Sequence, residues 1–169
     1  MIVPFVALYL WYRTRFYVTV LLYILIGLIW VCLVLREKVH GKSKILLCAG
    51  FYCMFVSYIT VFGRAPNYVL EVQLVPFETY YRIMSYWDID LIYDNINNLL
   101  LFIPIGFFMT CLKSLPLKKL IIIAIVTSFS IELMQLLLHV GYFQVDDIIN
   151  DTIGVFIGYQ LCKKYMHYD

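Results

Sequence analysis

The chain has 169 residues, of which 63% are hydrophobic, 18% are aromatic and only 14% are charged. An ordinary soluble domain has roughly a quarter of its residues charged, and a core of this size cannot shield so much apolar surface from water. The net charge of +2 is too balanced to indicate a nucleic-acid partner. The composition therefore excludes most soluble folds and predicts a membrane protein.

Five apolar segments follow a short opening stretch. Residues 1–12 are too few to cross a bilayer and are expected to lie in the membrane interface. The first span, residues 16–35, is uncharged and long enough to cross; because it is too long for a signal peptide, we interpret it as a retained helix. The later spans are predicted at residues 45–62, 95–112, 120–139 and about 147–162.

These spans predict an all-α fold, a polytopic transmembrane helix bundle of about five spans with one membrane domain. Residues 1–44 would form the interfacial segment and an added helix, and residues 45–162 the main membrane domain. Residues 63–93 form a long connection rich in Tyr and Trp, side chains that prefer the headgroup region. This connection is therefore expected to lie along the outer face of the membrane.

The distribution of Lys and Arg predicts the orientation, because cytoplasmic loops carry an excess of both. One side of the predicted membrane has Arg36, Lys38, Lys42, Lys44, Lys113, Lys118, Lys119, Lys163 and Lys164, and the other has only Arg13, Arg15, Arg64 and Arg82. We therefore predict a multi-pass membrane protein with its N-terminus outside and its C-terminus in the cytoplasm.

The cysteines show no pattern typical of a cross-link or a metal centre. Cys32, Cys48, Cys53, Cys111 and Cys162 lie in or beside apolar runs and have no CxxC or Cys/His ligand spacing. We expect them to pack as small hydrophobic side chains rather than to form a disulfide or bind zinc. No metal site and no cofactor is predicted.

Polar residues inside the spans are costly, so their positions carry the functional information. Ser128, Glu132, Gln135 and His139 share one helical stripe of the fourth span. On the fifth span, Asp147 and Asp151 begin a stripe that continues as Gly154 and Gly158, a GxxxG contact surface.

The third span opens with several amide side chains and contains Pro104, which is expected to free a carbonyl and kink the helix. All three polar groups lie toward the predicted outer face. The sequence therefore predicts an outer-leaflet pocket whose ligand-binding residues are Asn95, Asn98, Glu132, Gln135, Asp147 and Asp151.

Simpler roles remain open for several of these residues. Asn98 and Gln135 are equally suited to hydrogen bonds between helices, and Ser128 can bond to its own helix. Asp146 is expected to be solvated or to act as a helix N-terminal charge. Glu132 is the strongest functional candidate, because a carboxylate at its depth needs a partner.

Three stretches resemble the VanZ-like family: LVPF (74–77), NINNLLLFIPIGF (95–107) and SFSIELMQLLLHVGYFQVDDIINDTIGVFIG (128–158). The resemblance covers roughly residues 45–162 and points to the positions Asn95, Asn98, Pro104, Gly106, Glu132, Gln135, Asp147, Gly154 and Gly158. It departs at Asp151, where the family commonly has Asn, and at Gln144, where an acidic residue is common. The resemblance implies low-level resistance to teicoplanin, a lipid-tailed glycopeptide that acts outside the membrane.

Several functions fit these features. The first is a non-catalytic protein that binds a membrane lipid, a lipid-linked cell-wall precursor or the lipoglycopeptide itself. The alternative is a Mg²⁺-dependent enzyme acting on a lipid phosphate or polyprenyl carrier, because the run Asp146, Asp147, Asn150, Asp151 offers oxygen ligands. A scaffold that only holds helices together is a third hypothesis, and a proton-coupled transporter has little support without a repeat.

Overall fold

A computed structural model describes residues 42–62, 64, 71–113 and 115–166. The predicted interfacial segment and first span lie outside the described residues. The described helices are α1 (Lys42–Ser57), followed by a π-helical turn (Tyr58–Phe62), α2 (Glu78–Tyr86), α3 (Ile89–Lys113), α4 (Leu117–Leu137) and α5 (Val145–Met166). Two short strands, β1 (Val72–Gln73) and β2 (Phe143–Gln144), complete the described elements.

Two described helices are long and apolar enough to cross a bilayer: residues Ile89–Leu112 of α3 and Leu117–Leu137 of α4. Only 28% of the apolar window of α4 is buried inside the protein. Its outer surface displays Ile125, Val126 and Phe129, an apolar face that suits lipid rather than water. The described residues are thus mostly helical, with two helices able to cross a membrane, and the number of spans stays a prediction.

Helices α3 and α5 run parallel and form the closest contact of the fold. A Cβ atom on Gly154 would collide with the carbonyl oxygen of Leu99, and one on Gly106 would collide with the backbone of Val155. Glycine lets two helix backbones approach to this distance. The predicted GxxxG contact surface is therefore present, and its partner is α3.

The apolar core lies along this contact. Phe102, Phe107 and Val155 are almost completely buried between α3 and α5, and Leu120 covers them from α4. Helix α1 packs on α3, where the Tyr52 hydroxyl donates a hydrogen bond to the carbonyl oxygen of Leu101 at 2.8 Å. Helix α3 continues as an α-helix through the buried Pro104.

The two strands connect the long loop to the turn between α4 and α5. They pair in parallel, with Val72 opposite Phe143 and Gln73 opposite Gln144. A strand of two residues is too short to show the alternating pattern from which strands are predicted. Next to them, α2 exposes Tyr81, Met84 and other large side chains, and its location at the membrane interface stays a prediction.

The expectation for the cysteines is wrong in one respect. Cys111 on α3 and Cys162 on α5 form a disulfide, with their Cα atoms 6.0 Å apart. The two residues are 51 positions apart in the sequence, so only the packing of the parallel helices brings them together. Cys48 and Cys53 are free thiols.

The predicted polar stripe of the fourth span is also too long by one residue, His139. Helix α4 ends at Leu137 and is capped by Leu138. His139 follows in the left-handed backbone region, with φ of 54°, and is exposed. Ser128, Glu132 and Gln135 are the buried polar residues of α4, and His139 belongs to the turn.

Candidate functional site

Among the residues that the structure describes, most of the buried polar side chains lie at one end of the helix bundle, where α3 and α5 begin and α4 ends. We call this the polar end. The opposite end, where α4 begins and α5 ends, carries Lys118, Lys119, Lys163 and Lys164 and is called the lysine end. The two ends therefore differ in charge as well as in packing.

The central contacts of the polar end involve Asp147 of α5 and Glu132 of α4. Asp147 accepts a hydrogen bond from the Asn98 side chain of α3. Glu132 is only 2% exposed, and its Oε2 atom accepts a hydrogen bond from the backbone N–H of Gln144 at 2.9 Å. The stripe spacing places both carboxylates inside the bundle, and each has a partner from another element.

Asp151 lies one turn deeper on the same face of α5 and is 3% exposed. Ser128 on α4 donates its hydroxyl to Oδ2 of Asp151 at 2.5 Å. Oδ1 of Asp151 is enclosed and has no hydrogen bond. Ser128 therefore bonds across helices rather than to its own backbone, and the carboxylate retains unused acceptor capacity.

Asp146 is neither solvated nor a charge on its own helix alone. It is 2% exposed, and its two carboxylate oxygens accept the backbone N–H groups of Phe77 at 2.6 Å and Thr79 at 2.8 Å. These N–H groups lie at the start of α2 and have no helical partner there. Asp146 therefore caps α2 from a distance and anchors the long connection to α5, which corrects the solvated alternative.

A second chain of hydrogen bonds runs across the polar end through amide groups. The Tyr80 hydroxyl donates to Oδ1 of Asn150, and Nδ2 of Asn150 donates to Oδ1 of Asn95 at 2.5 Å. Burial is the largest cause and raises the pKa of Tyr80; the hydrogen bond to Asn150 opposes this shift, and the carboxylates of Asp146 and Asp147 each add a smaller increase. Tyr80 therefore stays a neutral donor near pH 7.

Arg64 is the cation that reaches the buried carboxylates of the polar end. Its Nη1 atom donates to Oε1 of Gln135 at 3.4 Å, and its Nε atom is enclosed without a hydrogen bond. The guanidinium lies within electrostatic range of Glu132, Asp147 and Asp151. A side chain on Gly141 would collide with Gln135 and crowd Arg64, so a small residue is needed where these groups meet.

The polar cluster, defined as Arg64, Asn98, Glu132, Gln135, Asp147 and Asp151, therefore combines three carboxylates with one guanidinium and two amides. Such a set can accept and donate several hydrogen bonds to a polar headgroup while apolar chains lie against the lipid-facing helices. Within the described residues, no group of three His, Cys, Asp or Glu side chains is arranged to hold a metal ion. Each oxygen of Asp146 already accepts a backbone N–H group, so this member of the acidic run has a structural role.

The structure brings all six predicted site residues to the polar end. Asn95 joins through Asn150 rather than directly, and the other five belong to the polar cluster. The predicted ligand-binding set lacks Arg64, Asp146, Asn150 and Tyr80, although Asp146 and Asn150 appear in the alternative magnesium hypothesis. The position of Asn150 four residues after Asp146 is a helical signal for a shared face, whereas Arg64 lies 71 positions before Gln135 and has no local signal.

The fold and the site together define the class of the molecule: a mostly helical membrane protein with a buried polar cluster at one end of the bundle. The family profile for VanZ/LLP1 matches residues 46–166, well over half of the chain. The chain therefore belongs to the VanZ-like family. Neither a curated protein nor a solved structure shows a significant match.

Proposed function

We propose that the chain is a multi-pass plasma-membrane protein that lowers susceptibility to teicoplanin-like lipoglycopeptides. In this proposal it has five spans, and the polar end faces outward while the lysine end faces the cytoplasm. Its polar cluster binds the headgroup of an amphiphile, either a membrane lipid or a lipid-linked cell-wall precursor. The family membership supports the link to glycopeptide resistance.

The observation that carries the proposal is the convergence of Arg64 with Glu132, Asp147 and Asp151 at a single end of the bundle. A structural role alone needs only paired groups, because an unpaired buried charge is costly. Here Asp151 and Arg64 each keep an enclosed polar atom without a partner. Neither atom has a hydrogen-bond partner within the described part of the chain, which supports a polar ligand as the missing partner.

The test is the teicoplanin susceptibility of a sensitive bacterium that expresses the protein. Glu132→Gln and Asp147→Asn keep the size and one acceptor of each side chain and replace the carboxyl group by a neutral amide. We expect both variants to lose protection at normal expression level, because headgroup binding depends on the carboxyl groups of the cluster.

The control is Glu71→Gln, since Glu71 forms a half-exposed ion pair with Arg82 at 3.8 Å, and such pairs contribute little. It should protect as well as wild type. Thermal melts in detergent separate this proposal from the scaffold hypothesis. Removing one of three carboxylates around one guanidinium should leave the folded protein at least as stable, whereas a scaffold role predicts that the same variants unfold.

A further inference from the structure

The Cys111–Cys162 disulfide lies at the lysine end, next to four of the lysines that predict the cytoplasmic side. Cys162 directly precedes Lys163 and Lys164, and α4 begins beside it with the exposed pair Lys118 and Lys119. Loops with this excess of Lys face the cytoplasm, where thiols are kept reduced. A permanent structural disulfide is not expected in that compartment.

We propose that Cys111 and Cys162 form a site of thiol–disulfide exchange on the cytoplasmic side, with small-molecule disulfides as the oxidant. The proposal rests on the orientation given above and on no other part of the proposed function. In growing cells the pair is a dithiol, and the disulfide forms when low-molecular-weight disulfides accumulate. The helix packing holds the two Cα atoms at 6.0 Å, within the range that permits a bond without backbone movement.

The difference in exposure assigns the order of the two steps. Cys111 is partly exposed and Cys162 is fully buried, so a reagent reaches Cys111 first. The Cys111 thiolate attacks the disulfide RSSR, forms a mixed disulfide and releases one RSH after protonation. The Cys162 thiol then loses its proton and attacks the Cys111 sulfur, which releases the second RSH. Two protein thiols are oxidised, and one RSSR is reduced to two RSH.

The site is placed to act on the main contact of the fold. Cys111 and Cys162 end the same parallel contact of α3 and α5 that contains Gly106 and Gly154. Oxidation adds a covalent link to this contact and constrains the unfolded chain. The expected physical effect is a rise in the melting temperature of the oxidised protein, which is reversed by a reductant.

The experiment uses the full chain with Cys32, Cys48 and Cys53 replaced by Ser. Cells are quenched in acid, and free thiols are labelled with a maleimide. The number of maleimide adducts is then read from the mass of the intact protein. We expect two free thiols in untreated cells. After treatment with hydroxyethyl disulfide we expect no maleimide adduct, a protein lighter by two hydrogen atoms, and no bound reagent. Dithiothreitol should restore both free thiols.

The matched control keeps Cys48 and Cys53 and replaces the other three cysteines. These two thiols lie on one helix and are free, so they should not lose two hydrogen atoms together. A disulfide between Cys111 and Cys162 in untreated cells would overturn the proposal, and so would two thiols that stay free after treatment.

A separate reporter tests the orientation on which the proposal rests. Lys164 is exposed at the lysine end, so Lys164→Cys in a chain without other cysteines should react with an impermeant maleimide only after cell lysis. Labelling in intact cells would place this end outside and refute the exchange site. Teicoplanin susceptibility is not read in this experiment, so loss of the exchange site leaves the binding proposal to its own test.

Discussion

Single residues at the polar end act through contacts between elements that are far apart in the sequence. Ser128 illustrates this, because its hydroxyl bonds to Asp151 on the neighbouring helix, whereas Ser130 on the same helix bonds to its own backbone at Val126. The two serines have the same intrinsic preferences and different surroundings. Their difference in burial follows from the helical period, with Ser128 on the inner face and Ser130 exposed.

The serine pair gives a prediction with an internal control. Within the described residues, Ser128→Ala removes the single hydrogen bond to the buried Asp151 carboxylate, and leaving such a group unsatisfied costs about 1–3 kcal/mol. We expect a clearly lower free energy of unfolding, measured by denaturant titration in detergent. Ser130→Ala should change it by much less, because back-bonding to a helix carbonyl stabilises little. Equal effects at both positions would contradict the assigned roles.

Asp146 gives a second prediction at this scale. In Asp146→Asn one N–H of the amide faces a backbone donor at the start of α2, so one of the two cap hydrogen bonds is lost. We expect a destabilisation of about 1–3 kcal/mol and faster proteolysis of the 71–88 connection. The comparison variant is Asp88→Asn. The wild-type Asp88 carboxylate accepts only long hydrogen bonds from the N–H groups of Asp90 and Leu91, at 3.2 and 3.4 Å. Proteolysis of this connection at the wild-type rate in Asp146→Asn would refute the anchoring role.

At the scale of elements, the packing of α3 against α5 determines where the polar side chains can meet. The parallel approach at Gly154 and Leu99 brings Asn98 within reach of Asp147 and Asn95 within reach of Asn150. These bonds form only when the backbones are close. Small residues on α5 are therefore a condition for the polar cluster as well as for the core.

The close approach predicts a strong effect of one added methyl group. Gly154→Ala places its Cβ against the carbonyl oxygen of Leu99, and overpacking of this kind costs about 1–3 kcal/mol. We expect a lower melting temperature and a weakened α3–α5 contact. Gly50→Ala on α1 is the matched control, because nothing lies within 4 Å of its added Cβ and alanine is the better helix former. A Gly154→Ala protein as stable as Gly50→Ala would contradict the close packing.

Patterns within one helix predicted its faces better than they predicted the contacts between helices. The 3.6-residue period identifies Ser128, Glu132 and Gln135 as one face and indicates Gly154 and Gly158 as a contact surface, because both depend on residues within one helix. The disulfide, the capping of α2 by Asp146 and the place of Arg64 depend on tertiary packing. Nothing in the spacing of Cys111 and Cys162 indicates that their helices run side by side.

At the scale of the whole molecule, the two ends of the helix bundle differ in the polar groups that they carry. The polar end collects the buried carboxylates with Arg64, and the lysine end carries exposed cations and the disulfide. The sides between them are apolar, with exposed residues such as Ile125 and Phe129 on α4. An amphiphile fits this arrangement, because its headgroup can reach the polar end while its chains stay in lipid.

The central claim is that the polar cluster binds an amphiphile, and the most direct measurement is native mass spectrometry of the protein released from membrane. The wild-type protein is predicted to retain a lipid or lipid-linked precursor of defined mass. Asp147→Asn should lose that species while keeping the wild-type melting behaviour, and Ser130→Ala should retain it. A wild-type protein that carries no such species, or an Asp147→Asn variant that binds it unchanged, would contradict the account.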